Sequence, residues 1–410
     1  MAEVNQNMNI GMVLESSFPP DIRIEKEAKS LIQNKFNVFV ISAMKKGLPS
    51  KESSNGIEII RISYPKNVLS RIAITVLFHA IFVNFLWKKE LVKIIKEYNI
   101  HILHVHDLPL VKTSVLAAKK YGIPVVADLH ENYPEQLKWS RKMSFHKKIF
   151  TILAPVWRWK RLERIILKKV KKIIAVVAEA KEHYVKDCHI HPDKILVVMN
   201  VVDLQQFKKA KINHFKQYEK NFVLSYVGGF GPHRGIDTVI GAMPYIIKKI
   251  PHAKLLLVGG TPSPYEESLK QLCQRIGAEK YVAFTRWVDF EYIPSYIAAS
   301  DVCLVPHHAN EHTNTTIPHK LFQYMALGKP VIATNCSPIE RIVKETQCGI
   351  IVPSGDHDKM TDAVIKLYSD HLLAKKLGEN GKKAVEKKYN WEREVEALIG
   401  LYNKMEEMNR

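Results

Sequence analysis

The sequence predicts an α/β protein built from two doubly wound domains, and three observations lead to that prediction. Its 410 residues exceed what one hydrophobic core usually takes, and its 46% hydrophobic and 25% charged content is typical of a globular protein. The segments Asn9–Leu14, Ile22–Asn34 and Val38–Ser42 predict a strand, a helix and a strand, which is how a doubly wound domain begins. The segment Phe222–Val227 predicts another strand, followed by a glycine-rich turn and a helix from Ile236.

The loops after two first-half strands carry polar candidates, because ligands of doubly wound domains bind beyond the carboxyl ends of strands. The predicted strands are Ile102–Val105 and Val125–Ala127, and both lead into histidine and acidic residues. A metal site is an open alternative there. It is disfavoured because strand alternation turns only the first two histidines to one face, and nothing places the third beside them. The ligand-type side chains are His104, His106, Asp107, His130 and Glu131.

A long apolar run occupies Val68–Trp87, and Arg71, His79 and Asn84 interrupt it. A membrane-spanning helix needs about 20 mostly apolar residues without such interruptions. The run therefore predicts a helix packed on the sheet, and a helix lying in a membrane surface is the alternative.

Basic residues dominate Lys138–Lys172, where thirteen lysines and arginines face a single acid, Glu163. The chain as a whole carries a net charge of +20. Because tryptophan and phenylalanine are interspersed with the basic residues, we expect this stretch to bind an anionic membrane surface. A solvated basic face is the alternative. Nucleic acid is not expected as a partner, since no nucleic-acid-binding motif accompanies the charge.

The five cysteines are scattered without a C-x-x-C pair, which predicts a reducing compartment and no zinc cluster. The first residues are polar, so we expect no signal peptide. Together with the basic stretch, these features predict a cytoplasmic protein that associates peripherally with the inner face of the membrane.

Two stretches of the second half suit a diphosphate ligand. Gly228–Gly235 forms a glycine-rich strand-to-helix turn that lets backbone N–H groups approach a phosphate, with Arg234 as a charged partner. Thr315–Ala333 predicts a helix capped by its two threonines, with Pro318 in the first turn and Lys320 near the positive end of the helix dipole. An ordinary helix–strand unit is the alternative interpretation of that segment.

Two other motifs of the second half have competing interpretations. Asp356-His357-Asp358 spells D-x-D, a metal–nucleotide motif elsewhere, but it precedes a predicted helix and Asp356 is better explained as an N-cap. Trp287, in the loop after the predicted strand Val282–Phe284, could contact a ligand or be a buried anchor. We place the domains at 1–205 and 222–389, a linker at 206–221, and a final helix at 390–410.

The Thr315–Ala333 stretch resembles the donor-site signature of retaining GT-B glycosyltransferases of family-4 type, in the form P-x-K-L-F-E-Y-M-A-x-G-K-P-V-I. Gln323 replaces the glutamate of that signature, and Thr315 stands where its commoner form has a first glutamate. Gly228–Gly235 is similar to the family's V-G-R-x-x-x-x-K-G loop, with Arg234 at the lysine and Gly229 at the arginine. The opening run F-P-P-D-x-R also resembles the start of the family.

This resemblance implies a GT-B fold, with two Rossmann-like domains facing a central cleft. It implies a donor site for a nucleotide diphosphate sugar in the second domain, an acceptor site in the first, and the C-terminal helix crossing back to the first domain. The implied enzyme is a hexosyltransferase with no cofactor and no bound metal, acting on a lipid-linked or glycan acceptor in polysaccharide synthesis. A sugar-nucleotide epimerase of the same fold and a non-catalytic sugar-nucleotide or polyanion binder are the alternatives.

By the same resemblance, three residues are implied to be catalytic: His130, Arg234 and Lys320. For His130, a hydrogen-bonded loop histidine is the alternative. The implied acceptor residues are Phe18, Asp21, Arg23, Asp107, His130 and Glu131. The implied donor residues are Gly228, Gly229, Phe230, Gly231, Arg234, Gly259, Trp287, Val288, Thr315, Thr316, Ile317, His319, Lys320, Leu321 and Gln323.

Overall fold

The computed structural model describes residues 7–142 and 153–409. They fall into two compact units. The first contains the residues up to Met199 together with those from Val395 onwards, and the second is Asn200–Glu394. The stretch 206–221, predicted to be a linker, lies within the second unit and contains the 3-10 turn Lys216–Tyr218.

The first unit contains an eight-stranded sheet in the order β3-β4-β2-β1-β5-β6-β7-β8. All neighbouring strands are parallel except β3 and β4. The described elements of this unit are β1 Asn9–Val13, α1 Ile22–Gln33, β2 Asn37–Ala43, β3 Lys51–Ser54, β4 Ile57–Ile62, α2 Val68–Ile81, α3 Phe85–Glu97, β5 Ile102–His106, α4 Leu108–Ala118, β6 Val125–Leu129, α5 Tyr133–Lys142, α6 Val156–Ile166, β7 Lys172–Ala175, α7 Ala178–Lys186 and β8 Ile195–Val197.

The second unit contains a six-stranded parallel sheet in the order β11-β10-β9-β12-β13-β14. Its elements are α8 Leu204–Lys208, β9 Phe222–Val227, α9 Ile236–Lys249, β10 Ala253–Val258, α10 Pro264–Arg275, β11 Val282–Phe284, α11 Ile293–Ala298, β12 Val302–Val305, α12 His319–Ala326, β13 Val331–Thr334, α13 Ser337–Thr346, β14 Gly349–Val352, α14 His357–Ser369 and α15 His371–Lys387. The last helix, α16 Trp391–Asn409, starts in this unit and continues into the first.

Each sheet reverses its strand order once, between β1 and β5 in the first unit and between β9 and β12 in the second. Beyond the carboxyl ends of such neighbouring strands lies the usual ligand crevice of a doubly wound sheet. At these reversals β5 and β9 are buried along their whole length, as parallel strands covered on two faces must be. The two reversals therefore indicate where polar side chains of each unit could meet a ligand.

The prediction of one helix over Val68–Trp87, packed on the sheet, is wrong. The chain forms two helices, α2 and α3, bent by 89° at a break that contains Phe82 in a left-handed conformation with φ +56°. Phe78 is the buried residue of α2, and Leu69 is 74% exposed. The cause is the same polar interruption noted in the sequence, since Asn84 caps α3 by accepting the N–H of Trp87.

Among the described residues, no single helix has the length and apolar composition required to cross a bilayer, although α2 and α3 taken as a bent pair satisfy that criterion.

The D-x-D motif has the role predicted for it. Asp356 is the N-cap of α14, and its carboxylate accepts the N–H of Lys359 at 2.8 Å. The Asp356 side chain is therefore used to start a helix.

Candidate functional site

A buried ion-pair network lies at the strand-order reversal of the first unit. Asp128, near the end of β6, pairs in register with His106 at the end of β5. Arg23 from α1 donates to Asp128 at 2.9 Å and lies 2.8 Å from Glu27, with all three side chains buried. Burial alone would raise the pKa of Asp128, but the positive charges of Arg23 and His130 hold it well below its usual range. Asp128 is therefore a fixed negative charge beneath the site.

His130 extends this network toward solvent. Its Nε2 lies 3.2 Å from an Asp128 oxygen and 3.1 Å from Nδ1 of His106, and its backbone N–H donates to Asp107. Burial would lower the pKa of His130, but Asp107 and Asp128 outweigh it and raise the pKa to about 9. Burial and the charge of His104 lower the pKa of His106 to about 3. At neutral pH His130 is thus a cationic hydrogen-bond donor beside a neutral acceptor.

Tyr402, from the last helix, contacts the buried side of this network. Its hydroxyl oxygen lies 2.6 Å from Nδ1 of His104, and Nε2 of His104 lies 3.4 Å from Asp128. All three side chains are fully buried. A residue near the end of the chain therefore orients the imidazole that faces Asp128.

The residues that could hold a metal in the structure differ from those that the sequence suggested. Potential ligand atoms of Glu27, His104, His106 and Asp128 lie within 4.8 Å of one another, whereas Asp107 and Glu131 are not part of this group. The guanidinium of Arg23 contacts both carboxylates of the group and supplies positive charge there. The expectation that no metal is bound stays a prediction.

Three of the implied acceptor residues have structural contacts instead of open side chains. Phe18 is 1% exposed and belongs to the core. Asp21 is the N-cap of α1 and accepts the backbone N–H groups of Arg23 and Ile24. Arg23 itself is buried against Asp128. Burial and capping occupy these three side chains, and their implied contact with an acceptor stays a prediction.

In the second unit the glycine turn after β9 lies close to other segments of the same unit. Gly228 has φ +129° and Gly235 has φ +64°, both in the region that favours glycine. A Cβ on Gly235 would lie 1.8 Å from the carbonyl oxygen of Pro306, and one on Gly228 would lie 3.0 Å from Nζ of Lys320. The glycines therefore allow the turn to approach both the loop after β12 and the Lys320 side chain.

Lys320 is the central residue of this second site. It lies in the first turn of α12, is 6% exposed, and places Nζ 3.5 Å from the ring centroid of Tyr226. Among the described residues, no atom accepts a hydrogen bond from that buried Nζ. Burial and the nearby charge of Arg234 lower the pKa of Lys320 well below its usual value. A buried amine without an acceptor is costly, so the site favours an anionic ligand.

Arg234 brings a second cation to the same place. Its Nη1 lies 3.1 Å from Nε2 of His307, which follows β12. Burial, followed by the charges of Arg234 and Lys320, lowers the pKa of His307 well below its usual range. Burial and the charge of Arg234 lower the pKa of His233 to about 3. Two neutral histidines, His233 and His307, thus lie near Arg234 and Lys320 at the reversal between β9 and β12.

The start of α12 differs from the prediction. Thr315 and Thr316 do not cap the helix, because Thr316 donates back to the carbonyl of His312 and Thr315 does so to Glu311 and His312. Pro318 occupies the N-cap position, and no side chain caps the helix. The chain turns earlier than expected, since the side chain of Asn310 accepts the N–H groups of His312 and Thr313.

The remaining implied donor residues divide by burial. Ile317, Leu321 and Gln323 are buried, and Leu321 is fully enclosed, so its side chain is core rather than contact. Trp287 is 66% exposed, which rules out the buried-anchor interpretation. Val288 is half-buried beside it.

Other implied donor residues surround the glycine turn or the helix start. Gly259 donates its N–H to Thr285, and a Cβ there would lie 3.3 Å from the carbonyl oxygen of Gly228. Phe230 packs against Tyr226 and Phe284, and Gly229 accepts from the Tyr226 hydroxyl at 2.8 Å. Gly231 precedes the 3-10 turn Pro232–Arg234, and Nε2 of His319 lies 3.2 Å from the carbonyl oxygen of Val201.

Sequence reasoning missed several residues that the structure brings into these sites. Asp128 and His307 lie at the ends of strands or just after them, so the strand-end rule that singled out His130 could have found both. Tyr226 and Tyr402 carry no such signal, because a tyrosine in a strand or a late helix is usually explained as core.

Two family models match adjacent parts of the chain. The model described as Glycosyltransferase Family 4 matches residues 23–206, and the model described as Glycosyl transferases group 1 matches residues 207–384. The matches meet near the boundary between the two structural units.

The individual relatives share low sequence identity with this chain. An alpha-D-kanosaminyltransferase from Streptomyces kanamyceticus is 20% identical over 71% of this chain and 73% of its own length. The UDP-Gal:alpha-D-GlcNAc-diphosphoundecaprenol alpha-1,3-galactosyltransferase of Escherichia coli is 26% identical over 76% of this chain and 78% of its own. The crystal structure of Anabaena Alr3699/HepE in complex with UDP and glucose has a TM-score of 0.74 at 14% identity, covering 97% of this chain and 100% of that one.

Proposed function

The chain belongs to the family-4-type glycosyltransferases of the GT-B fold, and on that basis we propose that it transfers a sugar from a nucleotide diphosphate sugar to a lipid-linked or glycan acceptor, with retention at the anomeric carbon. We propose that the second unit binds the donor and the first binds the acceptor. The E. coli relative, whose name specifies a diphosphoundecaprenol-linked acceptor, supports a lipid-linked substrate in polysaccharide assembly.

One observation carries the donor assignment. The buried Nζ of Lys320 has no acceptor among the described residues, lies beside the Gly228 turn, and shares its surroundings with Arg234. Diphosphate oxygens would supply the missing acceptors and the negative charge that two neighbouring cations favour.

The same residues suit the chemistry of transfer. Breaking the bond between the anomeric carbon and the diphosphate leaves negative charge on the diphosphate, and Arg234 and Lys320 would stabilise that charge. We propose that no bound metal takes part, since these two cations would take the role that a metal has elsewhere. His130 keeps its proton at neutral pH, because its pKa is about 9, and would donate a hydrogen bond to substrate rather than act as a base.

A radiolabelled transfer assay with Arg234→Ala tests this assignment. We expect turnover to fall about 10²-fold, the loss that removal of one such stabilising group produces. Arg275→Ala is the matched control, since Arg275 is exposed in the last turn of α10. Full activity of the Arg234 variant would remove this residue from the mechanism. NMR of the product would report the anomeric configuration, and activity in excess chelator would test the metal-free proposal.

Assays on the wild-type protein distinguish this function from the two alternatives, an epimerase and a non-catalytic binder. An epimerase would convert the nucleotide sugar without any acceptor, so incubation with donor alone followed by chromatography distinguishes it. A non-catalytic binder would retain nucleotide sugar without turnover.

We also propose that the first unit docks on an anionic phospholipid surface at the cytoplasmic face of the membrane. The exposed side of α2 offers Val68, Leu69 and Ile72, which are 65%, 74% and 53% exposed. Basic residues of α6, Arg161 and Arg164, are exposed in the same unit and supply charge complementary to anionic lipid.

Vesicle sedimentation tests the docking. Wild-type protein should sediment with phosphatidylglycerol vesicles at low salt and less at high salt, and Leu69→Asp should reduce that binding. Leu372→Asp, at a residue 83% exposed in the second unit, is the matched control. Equal binding to neutral and anionic vesicles would contradict the proposal.

A further inference from the structure

A pocket of about 1070 Å³ lies in the first unit, away from the polar network around His130. Val125, at the amino end of β6, lines it, whereas His130 follows the carboxyl end of the same strand. Because a strand rises about 3.3 Å per residue, Val125 and His130 are separated by roughly 16 Å along this strand. The pocket therefore has no part in the proposed transfer site.

The walls of this pocket are cationic. The residues that the structure places around it include no carboxylate. Side chains of four of its basic residues have no recorded hydrogen bond or ion pair among the described parts of the chain, and all four are exposed: Lys119, Arg161, Lys169 and Lys171. The other two basic residues are held by carbonyl groups: Lys112 donates to Ile81 at 2.7 Å, and Arg158 donates to Ala80 and Leu153.

Burial and neighbouring like charges both act on Lys112. Burial, followed by the charges of Lys169 and Arg158, lowers the pKa of Lys112. Since no carboxylate lies among the described lining residues, a bound anion would relieve this repulsion.

The rest of the lining is apolar. Leu116, Trp157 and Ile165 present exposed hydrocarbon surface, and Leu162, Ile166 and Val170 form buried parts of the lining. A pocket of this size with an apolar lining and a few charged groups has the character of a small-molecule site. Inorganic phosphate alone would satisfy the cations and leave the apolar surface uncovered.

We propose that this pocket binds one anionic amphiphile, a phosphate ester carrying a hydrocarbon chain. Its phosphate would lie among Lys119, Arg161 and Lys169, and its chain would pack on Leu116 and Trp157. The ligand would come either from a membrane phospholipid or from the isoprenyl phosphate portion of a lipid-linked substrate. The second source rests on the proposed function, whereas the first does not. In both cases the pocket accepts a single lipid rather than a membrane surface.

Calorimetric titration of the full chain with octyl phosphate, below its micelle concentration, tests the site. We expect octyl phosphate to bind at least about tenfold more tightly than inorganic phosphate, and more tightly than the uncharged octyl glucoside. Equal affinity for octyl phosphate and either of the other two probes would overturn the proposal, because one half of the pocket would then contribute nothing.

A pair of double variants sharpens the test. Lys119→Glu with Lys169→Glu should weaken octyl phosphate binding about tenfold or more, since it reverses two charges at the pocket. Lys120→Glu with Lys168→Glu makes the same change of net charge at adjacent exposed residues that do not line the pocket, and should leave binding within about twofold. Equal losses in both would refer the effect to net charge and overturn the site.

Two further measurements guard the interpretation. Leu116→Asp, at an exposed position, should also weaken octyl phosphate binding, while UDP affinity of all these variants should stay at the wild-type value. Loss of UDP binding as well would refer the effect to the whole chain and overturn the site. Leu116→Asp with unchanged octyl phosphate binding would contradict the apolar half of the proposal. Tighter binding of dihexanoyl phosphatidylglycerol than of farnesyl phosphate assigns a membrane lipid, and the reverse order assigns the lipid-linked substrate.

Discussion

Replacing Lys320 by methionine should stabilise the ligand-free protein and weaken its ligand binding at the same time. Methionine has a similar length and suits the face of Tyr226, on which Nζ of Lys320 now lies at 3.5 Å. A buried polar group without a partner costs about 1–3 kcal/mol, and Nζ has no acceptor among the described residues. We therefore expect Lys320→Met to raise the free energy of unfolding by about 1–3 kcal/mol, or Tm by roughly 2–4 °C per kcal/mol.

The expected effect on ligand binding has the opposite sign. UDP at 100 times its dissociation constant should stabilise the wild type by about 2.7 kcal/mol. A charge-assisted hydrogen bond to the diphosphate contributes about 1.5–3 kcal/mol, so its loss weakens binding by roughly 10-fold to 100-fold. At the same UDP concentration the variant should then be stabilised by only about 0.4–1.4 kcal/mol.

Differential scanning fluorimetry over a range of UDP concentrations measures both effects. Lys329→Met is the matched control, because the Lys329 Nζ donates to the carbonyl oxygen of Ala298 at 2.7 Å. That variant should lose stability without UDP and keep the full UDP-dependent shift. A Lys320 variant that is less stable than wild type, or that keeps the full shift, would refute the reasoning, since Lys320 would then have a partner of its own or lie outside the donor site.

Three further predictions concern His130, Tyr402 and Gly235. The pKa of His130 is raised from 6.5 to about 9, so its contribution to stability is complete below about pH 6.5 and is lost as pH rises through about 9. In urea titrations at pH 7 and 9.5, the wild type should lose about 1–3 kcal/mol more of its free energy of unfolding than His130→Gln. Equal losses would contradict that pKa. Tyr402→Phe should cost about 1–3 kcal/mol in thermal unfolding, because it unpairs a buried imidazole nitrogen; a cost under about 0.5 kcal/mol would mean that the bond contributes nothing. Gly235→Ala should lower the free energy of unfolding by more than about 3 kcal/mol, because its Cβ would lie 1.8 Å from the carbonyl oxygen of Pro306. Gly277→Ala, also at positive φ but in open space, should lower it by about 1–2 kcal/mol. Similar values for the two variants would show that the turn relaxes.

The sequence predicted the architecture well because parallel strands have a local signature. The apolar segments that begin at Asn9, Phe222 and Val282 appear as strands, and the glycine-rich turn leads into a helix at Ile236 as expected. The apolar composition of Val68–Trp87 led to the wrong prediction of one packed helix, because it does not show the bend at Phe82 or the exposed face of α2. Whether an apolar helix is covered depends on its neighbours, and that information is not local.

The candidate sites were predicted in part. His130 follows the end of β6 and Arg234 lies in the glycine turn, as expected, and Lys320 lies in the first turn of a helix. The strand-end rule succeeds because it depends only on topology. Arg23 and Asp21 were expected to meet a substrate, but one is neutralised by Asp128 and the other caps α1. No sequence pattern shows which buried charge already has a partner.

The discontinuity of the first unit affects how the protein is made. A ribosome completes the second unit, Asn200–Glu394, as one uninterrupted stretch, but the first unit lacks its final helix until Tyr402 has been translated. At about 5–20 residues per second, roughly 10–40 s separate the synthesis of Met199 from that of Tyr402. During that interval a nascent chain would lack the Tyr402 hydroxyl beside His104. The first unit, although its synthesis begins first, would therefore be the last to complete its fold.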